Sequence, residues 1–335
     1  MTIRRTEESG PTWRELLGEG TRMLSAAGVA EAELDAWYLM AEAFSTDRVH
    51  YFMEQDRPVR QDRLEKGRDR YMRMLAERAR RVPLQHILGT ASFMGLEFEV
   101  NEHVLIPRQD TEVLAETVLS ECTSESLAVL DVCTGSGCIA LSLAVRGKYA
   151  AVCATDISRE ALAVANRNAR RLFFGQKGVT RASAEHISDD PWRTDFTVEA
   201  GETRTLVLAQ SDMFRQIPEG DRFDVIVSNP PYIAGAVIET LSPEVRDHEP
   251  RTALDGGPDG LAFYRILASE CPAHLVCGGK VYFEIGFDQG EAVKALLEEA
   301  GFTKIRILQD LAGLDRVVAA EYHYSQKRNA GGANV

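Results

Sequence analysis

Short runs of apolar residues alternate with helical patterns from about residue 127 onward, and this alternation constrains the fold more than any other feature. Continuous apolar runs are typical of strands buried on both faces of a parallel sheet, and helices between them indicate an α/β fold. We therefore predict a doubly wound, seven-stranded sheet. Five runs, at 127–133, 150–156, 205–212, 223–229 and 280–286, precede a closing antiparallel pair, KIRILQD with RVVAAEYHY.

The N-terminal part of the chain has a different pattern. Thr12 to Glu15 form a capping-box sequence, and helical periodicity continues to about Arg81, with opposite charges such as Glu77 and Arg81 one turn apart. Pro83 is expected to close this bundle, because proline disfavours helix continuation.

These patterns predict the organisation of the whole chain. We expect a small helical domain, a β-hairpin-like connector, an α/β domain and a disordered tail, with a polar surface excursion at 173–204 inside the α/β domain. The predicted bounds are 1–82, 83–107, 108–323 and 324–335.

Composition excludes several classes of protein. The net charge of −13 disfavours a protein whose main partner is a bare nucleic-acid backbone. No apolar run is long enough to span a membrane, and the start MTIRRTEESG has no apolar core of a secretory signal, so we expect a cytoplasmic protein. The six cysteines have no metal-ligand spacing, and we expect no metal site.

A glycine-containing turn follows the first predicted strand. Cys133, Thr134, Gly135, Ser136 and Gly137 lie where open α/β sheets bind ligands, and glycine lets the backbone approach a ligand closely. A tight strand-to-helix turn without a ligand would have the same sequence.

The second predicted strand ends at Asp156, where an acid can accept hydrogen bonds from ribose hydroxyls. The third glycine of a dinucleotide motif is missing, so a nucleoside ligand without phosphates is the better interpretation. S-adenosylmethionine is one such ligand.

The fourth predicted strand ends in Asn229, Pro230, Pro231 and Tyr232. The tetrapeptide could simply stop the strand, because proline cannot donate to a sheet. It also fits amide chemistry: the Asn229 side-chain oxygen and the Pro230 carbonyl can accept both N–H bonds of a poorly nucleophilic amide or exocyclic amine and orient its lone pair toward a sulfonium methyl. Tyr232 could then stack on the planar target group, or be a core aromatic.

The chain resembles the HemK-type glutamine N5-methyltransferases that modify peptide chain release factors. The resemblance covers nearly the whole chain and rests on PLQHILG, VLIPRQDTE, DVCTGSGCIAL, TDIS, SDMF, VSNPPYI, EPRTALDGGPDGLAFYR, FEIGFDQ and DLAGLDRVV.

This resemblance implies a class I S-adenosylmethionine-dependent methyltransferase with a small N-terminal helical domain for substrate recognition. The substrate would be the glutamine of the Gly-Gly-Gln motif of class 1 release factors, the product S-adenosylhomocysteine, and no nucleic acid or membrane would be a partner. The implied substrate-binding residues are Asn229, Pro230, Pro231 and Tyr232, with Asn229, Pro230 and Tyr232 catalytic. The implied cofactor-binding residues are Cys133, Thr134, Gly135, Ser136, Gly137, Asp156, Asp212, Met213 and Asn229.

Two departures from the family pattern affect specific residues. Met213 stands where the family often has tryptophan, and Gln109 interrupts the commoner PRPxTE pattern. Met213 could still pack on an adenine ring.

The sequence leaves three other functions open. A ribosomal-protein glutamine methyltransferase or an adenine N6-methyltransferase could use the same Asn-Pro-Pro-Tyr chemistry, and a non-catalytic binding module could retain the fold. Residues 57–81 carry ten Arg or Lys and four Asp or Glu. That segment could dock an acidic partner protein or be a solvated, ion-paired face.

Overall fold

The computed structural model describes residues 10–174, 181–187, 190–200 and 202–324. The chain divides into two compact units: Met1–Thr90 with Ser242–His248, and Ala91–Leu241 with Glu249–Val335. The predicted disordered tail lies outside the described residues, except for Tyr324, whose hydroxyl donates to the Leu275 carbonyl at 2.7 Å.

The first unit is helical. Its helices are α1 Trp13–Ala26, α2 Ala32–Phe44, α3 Arg48–Glu54, α4 Gln61–Ala79, α5 Leu84–Leu88 and α10 Pro243–His248.

The capping box at the start of α1 is confirmed. The Glu15 backbone N–H donates to the Thr12 hydroxyl at 3.2 Å, and the Thr12 N–H donates to the Glu15 carboxylate at 2.8 Å. Pro83 does not end the helical part of the chain, contrary to our expectation. It is the N-cap of α5, a position that needs no amide donor from proline.

The helical unit has a compact apolar core in which two glycines permit close helix packing. The core includes the fully buried Trp13, Leu39 and Tyr71. A Cβ on Gly67 would lie 2.4 Å from the Phe44 ring, and one on Gly20 would lie 2.1 Å from the Tyr71 hydroxyl. The close contacts between α4 and its two neighbours therefore require residues without a side chain.

Helix α10 joins the helical unit through charge pairs, although the chain on both sides of it belongs to the second unit. Glu244 accepts from Arg81 Nε at 2.6 Å and from Arg78 Nη2 at 2.9 Å. Arg78 also pairs with the buried Asp35 at 2.6 Å. Arg81 therefore pairs with Glu244, far along the chain, and not with the predicted partner Glu77. The carboxylate of Glu244 is fixed by tertiary structure and can accept two hydrogen bonds from one guanidinium group.

The second unit begins with a two-stranded hairpin, β1 Thr90–Phe93 and β2 Leu96–Glu99. Met94 and Gly95 form its turn, and both have positive φ, the backbone conformation that matches the twist of a tight hairpin. The hairpin-like part of the predicted connector is therefore present.

Nine strands of the described residues form a sheet at the centre of the second unit, in the order β10-β11-β9-β8-β3-β4-β7-β6-β5. Its strands are β3 Ala128–Val132, β4 Ala151–Asp156, β5 Arg181–Ile187, β6 Asp190–Ala200, β7 Glu202–Gln210, β8 Phe223–Ser228, β9 Leu275–Glu284, β10 Phe302–Gln309 and β11 Asp315–Tyr322.

Seven of these strands form the predicted doubly wound sheet. β3 lies between β4 and β8, and β7 and β9 continue the sheet in parallel on either side. The closing antiparallel pair is confirmed, with Ile307 opposite Val318.

Helices cover both faces of the sheet, and the strand residues alternate between two apolar cores. Val129 and Val225 belong to one core, and Leu130 and Ile226 to the other. The helices are α6 Glu112–Glu121, α7 Cys138–Arg146, α8 Arg159–Phe174, α9 Gly235–Ile238, α11 Ala262–His274 and α12 Gly290–Glu299. Short 3-10 turns precede α6 and α11, at Gln109–Thr111 and Arg251–Ala253.

The expectation of a surface excursion at 173–204 was wrong. The described part of this segment comprises the last two residues of α8, then β5, β6 and the start of β7, and antiparallel pairing adds β6 and β5 to the edge of the sheet. Phe196 and Thr194 are buried while Arg193, Asp195 and Thr197 are partly exposed, the two-residue period of a strand with one covered face.

Candidate active site

A cavity of about 500 Å³ opens at the carboxyl ends of β3, β4 and β8. The order of these strands makes this a topological switch point, because the chain leaves β3 on one side for β4 and reaches β8 on the other. Its walls come from the predicted glycine loop, the end of β4, the tetrapeptide after β8, and the segments near residues 103–111 and 250–255.

The glycine loop after β3 turns sharply toward the cavity. Cys133, Gly135 and Gly137 all have positive φ. No atom lies within 4 Å of the place where a Cβ on Gly135 would stand, so this backbone faces open space. The loop thus presents accessible backbone to the cavity.

Asp131 fixes the glycine loop through hydrogen bonds to its side chain. Its carboxylate accepts from the Thr134 hydroxyl at 2.6 Å and from the Ala140 backbone N–H at 3.2 Å. Burial raises the pKa of Asp131 to about 7. This side chain ties strand, loop and helix together at one point.

Asp156 lines the cavity at the end of β4, as the sequence predicts. Its carboxylate accepts from the backbone N–H groups of Gly135 at 2.8 Å and Ser158 at 2.9 Å. Burial raises its pKa. The two hydrogen bonds from backbone N–H groups fix the carboxylate, and its remaining lone pairs can accept from ligand hydroxyls.

Apolar side chains flank the same part of the cavity. Met213 is 6% exposed, has φ of +52°, and its sulfur lies 3.8 Å from Cys133 Sγ. Ile157, which the sequence reasoning missed, is 56% exposed and also lines the cavity. Asp212 lines it too and pairs with Arg215 at 2.5 Å.

The tetrapeptide after β8 lies on the same edge of the sheet as the glycine loop and Asp156. Asn229 and Pro231 line the cavity, and the Asn229 Nδ2 lies 3.4 Å from the Thr111 hydroxyl oxygen. Pro230 is buried and Tyr232 is partly buried; within the described chain neither belongs to the cavity wall. The stacking role of Tyr232 therefore stays a prediction.

The backbone of the tetrapeptide is supported by the segment with sequence LDGGPDG. The Ile233 N–H donates to the Leu254 carbonyl at 3.0 Å, and the Gly256 N–H donates to the Ile233 carbonyl at 2.8 Å. A Cβ on Gly256 would lie 2.7 Å from Tyr232 Cα, and one on Gly260 would lie 2.4 Å from the Tyr232 oxygen. These glycines are required because two backbones touch.

A polar group that sequence reasoning missed lies beside the tetrapeptide. Glu284, the last residue of β9, is 1% exposed, and its Oε1 lies 3.5 Å from the Tyr232 hydroxyl. The other carboxylate oxygen, Oε2, is buried and has no hydrogen-bond partner among the described residues. Burial raises the pKa of Glu284 to about 7. An acid that ends an apolar strand at the ligand-binding edge was the available signal.

Arg108 lines the cavity and is held by the buried Glu249. Arg108 Nη2 donates to both carboxylate oxygens of Glu249, at 2.8 and 2.6 Å, and the Ile106 N–H donates to the same carboxylate at 3.3 Å. Glu249 is buried, and burial raises its pKa. The pair joins the LIPR segment to the segment that follows residue 248.

The described residues contain neither a cluster of metal-ligating side chains nor a helix that could cross a membrane. Residues 10–174, 181–187, 190–200 and 202–324 contain no cluster of three or more His, Cys, Asp or Glu placed to hold a metal ion. Across the same ranges, every helix is too short or too polar to cross a membrane.

The fold and the cavity define a class I methyltransferase, in which helices flank a mostly parallel sheet and the ligand-binding edge carries the glycine loop and the strand-end acid. Two protein-family models match the chain. The model described as "Methyltransferase domain" matches residues 129–215, and the model described as "PrmC N-terminal domain" matches residues 15–89.

Relatives from several bacteria resemble the chain over most of its length. The release factor glutamine methyltransferase of Geobacter sulfurreducens is 40% identical over 92% of this chain and 95% of its own. The protein of the same name from Caulobacter vibrioides is 39% identical over 88% and 91%, and that from Clostridium botulinum is 34% identical over 92% and 98%. The chain belongs to the release factor glutamine methyltransferase family.

Proposed function

We propose that this enzyme transfers a methyl group from S-adenosylmethionine to the side-chain nitrogen, N5, of the glutamine in the Gly-Gly-Gln motif of class 1 peptide chain release factors. The observation that carries the proposal is the convergence of Asn229, Asp156 and the open backbone of Gly135 on one cavity. Family membership adds the substrate class.

The residues of the cavity fit a nucleoside with an attached amino acid. Asp156 has lone pairs left to accept from ribose hydroxyls, and Ile157 and Met213 offer apolar surface to a base. Gly135 leaves room for close approach, and Cys133, Thr134, Ser136, Gly137 and Asp212 complete the proposed cofactor site. S-adenosylmethionine supplies a methyl group on a sulfonium sulfur that leaves as the neutral thioether of S-adenosylhomocysteine.

The chain's own contribution is the placement of the acceptor amide. The lone pair of a carboxamide nitrogen is delocalised, so the site gains rate by orienting that nitrogen and by stabilising positive charge on it. We assign the Asn229 side-chain oxygen and the Pro230 carbonyl as acceptors for its two N–H bonds. Pro231 stiffens the turn, and Tyr232 packs beside the target group.

The helical unit is proposed to recognise the release factor. Its helix α4 is rich in arginine, although Arg70 and Arg78 on this helix, and Arg81 just after it, pair with carboxylates of the same unit. Arg73 is exposed and is the better candidate for a contact with an acidic partner. Because release factors act with ribosomes, we place the reaction in the cytoplasm.

The test is methyl transfer with three possible substrates in parallel: a class 1 release factor, ribosomal proteins and adenine-containing nucleic acid, each with labelled S-adenosylmethionine. We expect label only on the release factor, at the Gly-Gly-Gln glutamine, as mapped by mass spectrometry. A release factor with alanine at that glutamine is the matched control. Label on ribosomal protein or on adenine, with none on the release factor, would overturn the proposal.

A further inference from the structure

The exposed apolar side chains of the second unit are concentrated at one edge of its sheet. In the described part of this unit, every large apolar side chain that is exposed, except Tyr324, follows the carboxyl end of a strand. Ile157 follows β4 and lines the cavity, and Val237 lies in α9, after β8. The remaining three form what we call the rim patch: Phe287, Leu311 and Leu314.

The rim patch lies on the same edge of the sheet as the tetrapeptide. Strand β11 runs antiparallel to both β9 and β10, and β9 runs parallel to β8, so β8, β9 and β10 all point the same way. Phe287 follows the end of β9, and Leu311 and Leu314 lie in the turn that follows β10. These ends share the edge where β8 leads into Asn229.

The turn after β9 and the turn after β10 are neighbours. The Ile285 N–H donates to the Arg316 carbonyl at 2.9 Å. A Cβ on Gly290 would lie 2.9 Å from Asp315 Oδ2, so the start of α12 touches the start of β11. The three apolar side chains are therefore carried by two adjoining turns and are not scattered over the surface.

The turn between β10 and β11 is held by hydrogen bonds. The Asp310 carboxylate accepts from the backbone N–H groups of Ala312 at 2.9 Å and Leu314 at 3.0 Å, and the Asp310 N–H donates to the Leu314 carbonyl at 2.9 Å. Leu311 is fully exposed on this ordered turn. Grouped apolar side chains that fixed turns hold in water are typical of an interaction surface.

Both turns are also tied to the walls of the candidate active site. Gln289 accepts from the Gly286 N–H at 2.9 Å and donates to the Tyr232 carbonyl at 3.0 Å, which links the turn of Phe287 to the tetrapeptide. Arg316 pairs with Asp310 at 3.0 Å and with Asp110 at 3.3 Å. Asp110 belongs to the 3-10 turn that contains the cavity-lining Thr111. The rim patch is thus continuous with the site.

We propose that the rim patch is a docking surface for the release factor, and that it contacts apolar surface beside the Gly-Gly-Gln loop. This inference rests on the proposed function and deepens it. A glutamine that enters the cavity brings the protein around it against the rim, and the relatives of this chain are named for a protein substrate. Apolar contact at the rim would supply affinity that the cavity alone does not.

The position of the patch gives the docked protein a direction. On the β4 side of the glycine loop, the exposed large apolar side chain in the described residues is Ile157, which lines the cavity itself. On the β9 side the apolar surface continues past the tetrapeptide to Leu311. The body of the release factor therefore lies over the ends of β9 and β10.

Two substitutions test the docking surface, Leu311→Ser and Phe287→Ser, made singly and together. Leu311 is fully exposed, so its replacement should cost little stability. We expect the double variant to raise KM for intact release factor by about tenfold, with smaller increases in the single variants. The kcat at saturating release factor and Kd for S-adenosylmethionine should stay within about twofold, because the lost contact is the same in the ground and transition states.

Tyr324→Ala is the matched control. It also removes an exposed apolar side chain, but one at the opposite edge of the sheet, where the Tyr324 hydroxyl donates to the carbonyl of Leu275, the first residue of β9. KM for the release factor should not change in this variant. Melting temperatures of all the variants show whether a change in KM follows from a loss of folding.

Salt dependence separates the rim patch from the arginines of α4. Contacts between exposed charges weaken as salt is added, whereas apolar contacts do not. The ratio of KM between the double variant and the unmodified enzyme should therefore persist at high salt. A ratio that falls to one as salt is added would overturn an apolar docking surface.

The remaining outcomes are distinct from a failure of the proposed function. Unchanged KM in the double variant, with glutamine still methylated, overturns the rim patch and leaves the function standing, and so does a fall in kcat at unchanged KM. A free enzyme that is a dimer in sedimentation, and that becomes a monomer with Leu311→Ser, would assign the patch to a second copy and overturn the proposal. If the unmodified enzyme fails to methylate glutamine, the proposed function itself is wrong.

Discussion

Arg81 donates two parallel hydrogen bonds to Glu244, from Nε to Oε1 at 2.6 Å and from Nη2 to Oε2 at 2.7 Å. The side chains are only 26% and 17% exposed, so water screens the pair weakly. Burial alone would raise the pKa of Glu244, but hydrogen bonds from Arg81, from its own backbone N–H and from Arg78 lower it to about 2.

Replacing Glu244 should destabilise the helical unit. Glu244→Gln removes the negative charge that faces Arg78 and Arg81, and we expect a loss on the order of 2 kcal/mol at pH 7 in chemical unfolding. Asp62→Asn, in the exposed pair with Arg60, is the matched control and should cost less than about 0.5 kcal/mol. Equal losses in the two variants would contradict this account.

The pH dependence of this pair follows from the sign of the shift. A depressed pKa means that the ionised form is favoured by folding, so the stabilisation is complete above the ordinary value of 4.5. It should be lost as the pH falls from there toward about 2. Unfolding curves measured from pH 6 to pH 2 should therefore converge for the unmodified protein and Glu244→Gln.

Asn229→Ala should remove most of the activity without unfolding the protein. Loss of a pre-organised acceptor for the substrate amide is expected to lower kcat by on the order of a hundredfold. Single-turnover methylation, with circular dichroism as a check on folding, measures this. Turnover within threefold of the unmodified enzyme would mean that another group supplies the acceptor.

Gly256→Ala should displace the backbone of the tetrapeptide. The new methyl group would lie 2.7 Å from Tyr232 Cα, so one of the two backbones must move, and we expect at least a tenfold loss of kcat. Gly220→Ala is the control, because nothing lies within 4 Å of the added Cβ. Normal turnover in Gly256→Ala would show that the tetrapeptide tolerates displacement.

Asp156→Ala should weaken cofactor binding. The substitution removes the proposed acceptor for the ribose and also frees the Gly135 and Ser158 amides that the carboxylate now holds. We expect Kd for S-adenosylmethionine, measured by calorimetry, to rise at least tenfold, equivalent to about 1.4 kcal/mol. An unchanged Kd would place the cofactor elsewhere.

Charge reversal on α4 tests the proposed recognition surface. Arg73→Glu should slow association with the release factor, since rim charges act mainly on association rates, while cofactor affinity stays the same. Arg70→Glu would also break the pair with Glu42, so Arg73 gives the cleaner measurement. Association rates that do not change, measured at low salt, would discard this docking surface.

The sequence predicts the central sheet well because its strands are buried on both faces. The run AVL at 128–130 carries three consecutive apolar residues, which indicates a strand that is buried on both faces and lies in the middle of the sheet. The position of Asn229 follows from the same logic, since the carboxyl ends of parallel strands share one edge.

The structural features that could not be predicted from the sequence depend on tertiary contacts. Segment 173–204 alternates polar and apolar residues weakly, and only pairing with β7 makes its strands recognisable. The sequence places Glu284 at the end of an apolar strand, but charged residues are usually exposed, so the burial of its side chain could not be predicted. The partner of Arg81 is far along the chain and follows from the fold alone.

The excursion of residues 242–248 into the helical unit has a consequence for how this protein can be divided. A fragment that stops at residue 90 keeps Arg78 and Arg81 but leaves their carboxylate behind, and one that starts at residue 91 carries Glu244 with no cation from α4 to meet it. The two units are thus not separable along the sequence. Each fragment made by truncation would lack one side of the ion pairs between Glu244 and the two arginines. A circular permutant that retains residues 242–248 would keep both sides of these pairs in one chain.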